Sequence, residues 1–375
     1  MPVQAATQTL VGRAAELAAL RAAVERASSG EAATVVVSGE AGVGKSRLVE
    51  ELMRTARGDG ALVLLGRCVD VGDGELAYAP IAGALRSLAA QVDDDELDAA
   101  LGPGRAELAR LVPDLAGEDG APGAGPATFG KARLFELLLG ALGRLGRRRP
   151  VVLVVEDLHW ADGSTRDLLR FLVRAAAGER LALIVTYRTD HLHRAHPLRP
   201  YLVELRRDGR VECVDLGPFS RAEFAEHVAA ILGTTPSPAS LDRLLERSDG
   251  NAFFTEELLG AAGPGDLPAS LRDAMAVHLE GLQPVAQRVV RVLAAAGRRV
   301  DHRLLERAAG APAEELAAGV REALEARVIV PTRDGRGYEF RHALLREAAY
   351  AELLPGERQA LHGVLARQLE ADPEL

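Results

Sequence analysis

A short strand expected at Val211–Val214 ends the first domain, and ahead of it four short apolar runs punctuate the first half of the chain: Thr34–Ser38, Ala61–Gly66, Val151–Val155 and Leu181–Thr186. They are too short for helices and too continuous for strands with one wet face, so they predict strands buried on both sides, as in a parallel sheet. Between them the period becomes helical. Leu48, Val49 and Leu52 mark one face within Arg47–Arg57, helical stretches run from Pro80 to Val112, and Thr165–Ala176 forms another helix. Leu134, Leu137, Leu138, Leu142 and Leu145 mark a helix that begins at Thr128 and stops at Pro150. Gly117–Pro126, rich in glycine, proline and alanine, reads as a surface loop. The alternation of strand and helix predicts an α/β domain with helices on both faces of its sheet.

From Ser220 the period is almost purely helical, over Ser220–Leu232, Ser240–Arg247, Ala252–Leu259 and Ala269–Leu282. Three further helices follow at Pro284–Ala296, Asp301–Ala308 and Ala313–Ala326. Val328–Val330, a turn at Arg333–Gly337 and Tyr338–Arg341 then read as a hairpin. Three helices and a hairpin are the layout of a winged helix. Two amphipathic helices, His342–Leu354 and Arg358–Leu369, close the chain. The expected domains are therefore an α/β domain over 1–216, an all-α lid over 217–283, a winged helix over 284–354 and the start of a helical repeat or arm over 355–375.

Composition narrows the classes. The formal charge of −9, from 54 acidic against 45 basic residues, offers no general attraction to nucleic acid or anionic membrane. Pro284–Leu375 holds fourteen arginines and fourteen acids, which argues against DNA binding by the winged helix. No apolar run approaches the ~18 residues of a membrane span. The N-terminus lacks a basic stretch followed by an apolar one, and Cys68 and Cys213 suit small buried hydrophobes, so a reducing cytoplasm is expected.

One motif carries specific chemistry. Gly39-Glu40-Ala41-Gly42-Val43-Gly44-Lys45-Ser46 reads G-x-x-x-x-G-K-S, with a strand before it and a helix after it, as a phosphate loop needs. Backbone N–H groups of Gly39 to Arg47 would surround phosphate oxygens, Lys45 would reach the β and γ phosphates, and Ser46 would hold Mg²⁺. Only two of the chain's basic residues are lysines, Lys45 and Lys131; the loop demands a compact ammonium where arginine serves elsewhere.

A second motif is the apolar strand ending in Glu156 and Asp157. Alternation would send the two carboxylates to opposite sides, Glu156 to the metal and Asp157 to the attacking water. Leu181 to Arg188 is a strand that would bring Thr186 and Arg188 to the edge where a γ phosphate lies, with Arg188 distinguishing ATP from ADP or else standing as a solvated charge. His191-x-His193-x-x-His196 lacks a carboxylate or cysteine to complete a metal site. Trp160 is expected to pack on the sheet and Lys131 to lie on the surface.

These motifs, taken in order with Leu10-Val11-Gly12-Arg13, Ser248–Leu258 and Phe340–Glu347, resemble the STAND class of signal-transduction ATPases. More narrowly they resemble the AAA+-like N-terminal ATPase portion of large LuxR-type bacterial regulators. The resemblance implies an ATP or ADP ligand with Mg²⁺, slow hydrolysis, and Gly12 and Arg13 near the adenine and ribose. It implies Asn251 in a lid over the base, although Ala252 stands where the family has proline. It implies that His342 holds the β phosphate of ADP; the alternative is a histidine opening a helix with a core partner.

Adenine selectivity comes from the resemblance alone. Expected partners are the nucleotide, a second copy on ATP binding, and a protein or small-molecule inducer. Family members continue into helical repeats and a helix-turn-helix, and this chain ends where the repeats would begin. Two other functions compete with the switch: a nucleotide-stabilised scaffold without turnover, and a winged-helix DNA-binding ATPase.

Overall fold

The computed structural model describes residues 10–69, 77–115, 130–193, 196–261, 267–297 and 299–372. The chain divides into two units, one spanning Arg13–Gly217 and the other formed by the residues up to Gly12 together with Pro218 onward. The expected loop at Gly117–Pro126 and the expected helix start at Thr128 lie outside the described residues.

In the first unit the order is α1 (Ala14–Ser28), β1 (Ala33–Gly39), α2 (Lys45–Gly58), β2 (Leu62–Arg67), α3 (Ala79–Ala89), α4 (Asp94–Leu101), α5 (Arg105–Leu108), α6 (Lys131–Arg148), β3 (Val151–Glu156), α7 (Gly163–Ala175), β4 (Leu181–Arg188), α8 (Leu198–Arg207) and β5 (Val211–Leu216). The strands form one sheet in the order β2-β3-β4-β1-β5, every neighbouring pair parallel. β1 is buried along its whole length and β3 likewise, which is why both read as unbroken apolar runs. α1 packs on β1 and β4, α3 on β2, and α6 on β3 and β4.

α3 lies close against β2, because a Cβ at Gly66 would run into the Pro80 carbonyl oxygen. The chain crosses from β1 to the far edge at β2 and returns through β3 and β4 to lie beside β1. The carboxyl ends of β1, β3 and β4 therefore share one edge.

Several elements differ from expectation. α1, α8 and the short strand at Arg299–Asp301 have no counterpart in the sequence pattern. In α1 the buried residues are Leu20, Ala23 and Ala27, so alanine carries much of the buried face and the apolar period is faint. Cys213, expected as a buried hydrophobe, is exposed: β5 is the edge strand, buried only at Val214 and Leu216. Cys68 is buried as expected.

The second unit begins with α9 (Arg221–Leu232), whose Ser220 and Glu223 form a reciprocal cap, followed by α10 (Pro238–Ser248), α11 (Ala252–Gly260) and α12 (Ala269–Glu280). Then come α13 (Pro284–Ala296), β6 (Arg299–Asp301), α14 (His302–Ala309), α15 (Ala313–Glu325), β7 (Ile329–Pro331), β8 (Gly337–Phe340), α16 (Ala343–Glu352) and α17 (Pro355–Ala371). The strands make a small antiparallel sheet in the order β6-β8-β7. Leu271, Val289, Leu293, Leu305, Val328 and Leu344 are central to this unit's core. Among the described residues no helix is long and apolar enough to cross a membrane.

Candidate nucleotide-binding site

β1 delivers Gly39 to the sheet edge, and the chain turns through Glu40–Gly44 into α2, which begins at Lys45. Gly42 and Gly44 take φ of 78° and 102°, a region that other residues enter only with strain. Gly39 has no room for a side chain, since a Cβ there would stand 2.6 Å from the Leu216 carbonyl oxygen. The turn thus brings backbone N–H groups and the positive end of α2 together, and the first turn of α2 holds no acidic side chain to compensate them. Ser46 is exposed and Arg47 half-buried.

Lys45 is 7% exposed, and its ammonium donates to the carbonyls of Gly39 at 2.9 Å and Glu40 at 2.7 Å. Burial pushes it down to about 8; Asp190 and, more weakly, Asp157 favour its charge, while Arg188 opposes it. Asp157, Arg188 and Asp190 are therefore all within electrostatic reach of Lys45.

The acidic side of the site follows from strand register. β2 pairs with β3 so that Arg67 lies opposite Glu156, and the Arg67 Nε donates to Glu156 Oε2 at 2.7 Å. The carboxylate is nearly buried while the arginine is largely exposed. β3 ends at Glu156, so Asp157 does not simply occupy the next position of the pleat: it takes φ 58°, ψ 45°. Its backbone N–H donates to the Thr186 hydroxyl at 3.1 Å, which gives that buried threonine a positioning role. Arg188 Nε then lies 3.5 Å from Asp157 Oδ1.

Three residues that the sequence pattern did not single out belong to this edge. Arg67 is the first. Asp190 is the second: β1 and β4 pair with Gly39 opposite Arg188, and two residues farther on the Asp190 carboxylate accepts the Ala41 N–H at 3.1 Å. His159 is the third, a fully buried imidazole whose Nδ1 accepts the Arg188 backbone N–H at 3.4 Å. Register pairing was the signal for the first two, and it becomes visible only when strand order is known.

Trp160 does not pack into the sheet. It is 38% exposed, with its ring 5.1 Å from that of His159 and 5.2 Å from that of His191. His193 and His196 face each other edge-on at 5.2 Å, and no group of three or more His, Cys, Asp or Glu among the described residues is placed to hold a metal ion.

Arg13, at the start of the same unit, is buried, and its guanidinium donates to the carbonyls of Val43 in the loop at 3.4 Å and Gly217 at 2.5 Å. The remaining expected residues belong to the second unit. Gly12 adopts φ 65° against Glu223, where a Cβ would stand 2.9 Å from the carboxylate oxygen. Asn251 caps α11 by accepting the Phe254 N–H at 3.3 Å. His342 precedes α16, with Nδ1 3.5 Å from Asp249 and its ring edge-on to Phe254 at 5.7 Å.

Comparison with known proteins agrees with this geometry. Residues 9–185 match the AAA ATPase domain. An uncharacterised protein of Rhizobium meliloti (strain 1021) is 27% identical over 392 residues, a match covering 94% of this chain and 36% of that protein, so the chain spans about a third of its relative's length. The Walker-type ATPase of Pyrococcus abyssi superimposes with a TM-score of 0.55 at 16% identity, over 91% of this chain and 96% of that one. The Aeropyrum pernix ORC2 protein, solved in complexes described as ADPNP-ADP, gives 0.54 at 13% identity, over 99% and 97%. The phosphate loop, the parallel sheet that presents it and the domain match together support an AAA+-like, nucleotide-binding P-loop ATPase in the first part of this chain.

Proposed function

We propose that the chain is an ATP-dependent signalling switch of the STAND type, belonging to a transcriptional-regulator-like protein and hydrolysing ATP slowly with Mg²⁺. The observation that carries the reading is the buried Lys45 ammonium, held on loop carbonyls with Asp157 and Arg188 both acting on its charge. A cation kept protonated in so dry a place, at a helix N-terminus, is suited to phosphate oxygens.

In this reading the amides from Gly39 to Arg47 cradle the phosphates. Lys45 neutralises them, Asp157 orients water, and Arg188, tied to Asp157, senses the terminal phosphate. The exposed Ser46 and the nearly buried Glu156, whose carboxylate Arg67 engages, would hold Mg²⁺; hydroxyl and carboxylate oxygens are the donors a hard cation takes, and Mg²⁺ when bound would neutralise phosphate charge. The order α13-β6-α14-α15-β7-β8 supports reading 284–354 as a winged helix, with α9 to α12 as the helical lid. Gly12, Arg13, Asn251 and His342 enter as residues whose mutation alters nucleotide affinity.

The test is to denature the purified chain and identify any nucleotide released, beside Lys45→Ala. Stoichiometric ADP from wild type and little from the variant supports an ADP-held switch. No nucleotide from either, together with no binding of ATP and Mg²⁺ on titration, refutes the proposal. Turnover that Asp157→Asn abolishes separates the switch from a scaffold, which has none to lose.

A further inference from the structure

We infer that Asp190 is an internal competitor for the terminal phosphate: its carboxylate holds the Ala41 amide of the loop, so this arrangement disfavours a nucleoside triphosphate relative to a diphosphate. The inference rests on the nucleotide reading above and gives that site its discriminating residue. The geometry has three parts.

β4 ends in register with Gly39, and the Thr189 N–H donates to the Gly39 carbonyl at 3.1 Å, so the chain after Arg188 is stitched to the start of the loop. Asp190 then reaches the Ala41 N–H with Oδ1 at 3.1 Å. A carboxylate oxygen accepting a loop amide makes the kind of contact that a phosphate oxygen makes. Second, Asp190 is the largest favourable charge acting on Lys45, so it stands close to the group that must also serve the phosphates. A fixed anion there repels each added phosphate charge, and a triphosphate brings more of it than a diphosphate.

Third, the next residue is in contact with a reporter. The His191 ring lies 4.8 Å from that of His159 and 5.2 Å from that of Trp160, the chain's one tryptophan. Displacement of Asp190 from Ala41 moves His191 and changes the surroundings of Trp160.

The experiment measures equilibrium dissociation constants for Mg-ADP and for a non-hydrolysable Mg-ATP analogue by calorimetry, on wild type, Asp190→Asn and Asp190→Ala, with Trp160 emission recorded alongside. Asparagine keeps an oxygen for the Ala41 N–H and removes the charge. Lys45 would reach both the β and γ phosphates, so any weakening of its ammonium costs the triphosphate at least as much as the diphosphate and opposes the expected shift. The expected result is an ADP preference in wild type that moves toward the triphosphate by about tenfold in Asp190→Asn, less so at high salt. In wild type the analogue, and not ADP, should shift Trp160 emission.

An unchanged ratio in Asp190→Asn, with both nucleotides still bound, overturns the inference and leaves the nucleotide reading standing. A wild-type protein that binds neither nucleotide overturns both. If Asp190→Ala fails to fold, the asparagine variant alone decides.

Discussion

Acid should destabilise the first unit through one buried ring, and the size of the effect can be worked out. His159 has no exposed side chain, and its Nδ1 accepts the Arg188 N–H, so the ring is the neutral tautomer with its proton on Nε2. Burial, then His191 and Arg188 beside it, hold its pKa down to about 3 against an ordinary 6.5. Above pH 6.5 the ring is neutral folded or unfolded and costs nothing. Between 6.5 and 3 the unfolded chain takes up a proton that the folded chain refuses, so stability falls as pH falls, by up to about 1.4 kcal/mol per pH unit.

At pH 5 the loss relative to pH 8 amounts to about 2 kcal/mol from this residue alone. His159→Asn removes the titration while leaving an amide oxygen near the Nδ1 position. The assay is urea unfolding followed by Trp160 emission, which reports on this unit, at pH 8 and pH 5 for both proteins. The variant should be the less stable at pH 8, yet its loss on going to pH 5 should be smaller than wild type by about 2 kcal/mol. An equal loss in both proteins would refute the reasoning, because it would mean that His159 is protonated in the folded state.

The two cysteines should differ sharply towards a thiol reagent at pH 8. Exposed Cys213 should label in the native protein, whereas Cys68, whose thiol burial pushes up to about 12, should label only after unfolding; mass spectrometry of native and denatured samples checks this. Gly66→Ala should destabilise the first unit by about 1–3 kcal/mol, since its methyl meets the Pro80 carbonyl and α3 must lift from β2; an unchanged melting temperature would contradict that close approach. In the second unit Arg247 makes a two-pronged pair with Glu347, at 3.0 and 2.7 Å, between α10 and α16. Glu347→Ala should cost about 1 kcal/mol in denaturant unfolding, and no change would show the pair to be open in solution.

Much of the site was legible because its chemistry is local in sequence. Gly39 to Ser46 must have glycines where φ is positive, a lysine at the helix start and a buried strand before it, and each of those demands leaves a mark on the residues themselves. The strands β1 to β4 were legible for a similar reason: burial along almost their whole length leaves no polar alternation. α1 was not, because its buried alanines give a weak period, and Cys213 was misread because nothing within Val211–Val214 tells an edge strand from a central one.

What the sequence by itself determined was the sheet's apolar runs, the loop and its lysine, and the paired acids after the third strand. What only the tertiary structure decided was which side chains meet across strands. Arg67 reaches Glu156 and Asp190 reaches Ala41 through parallel pairings between segments far apart along the chain. Strand order and register arise from packing the whole sheet, and a one-residue slip would bring different groups together, so no local pattern can encode those contacts.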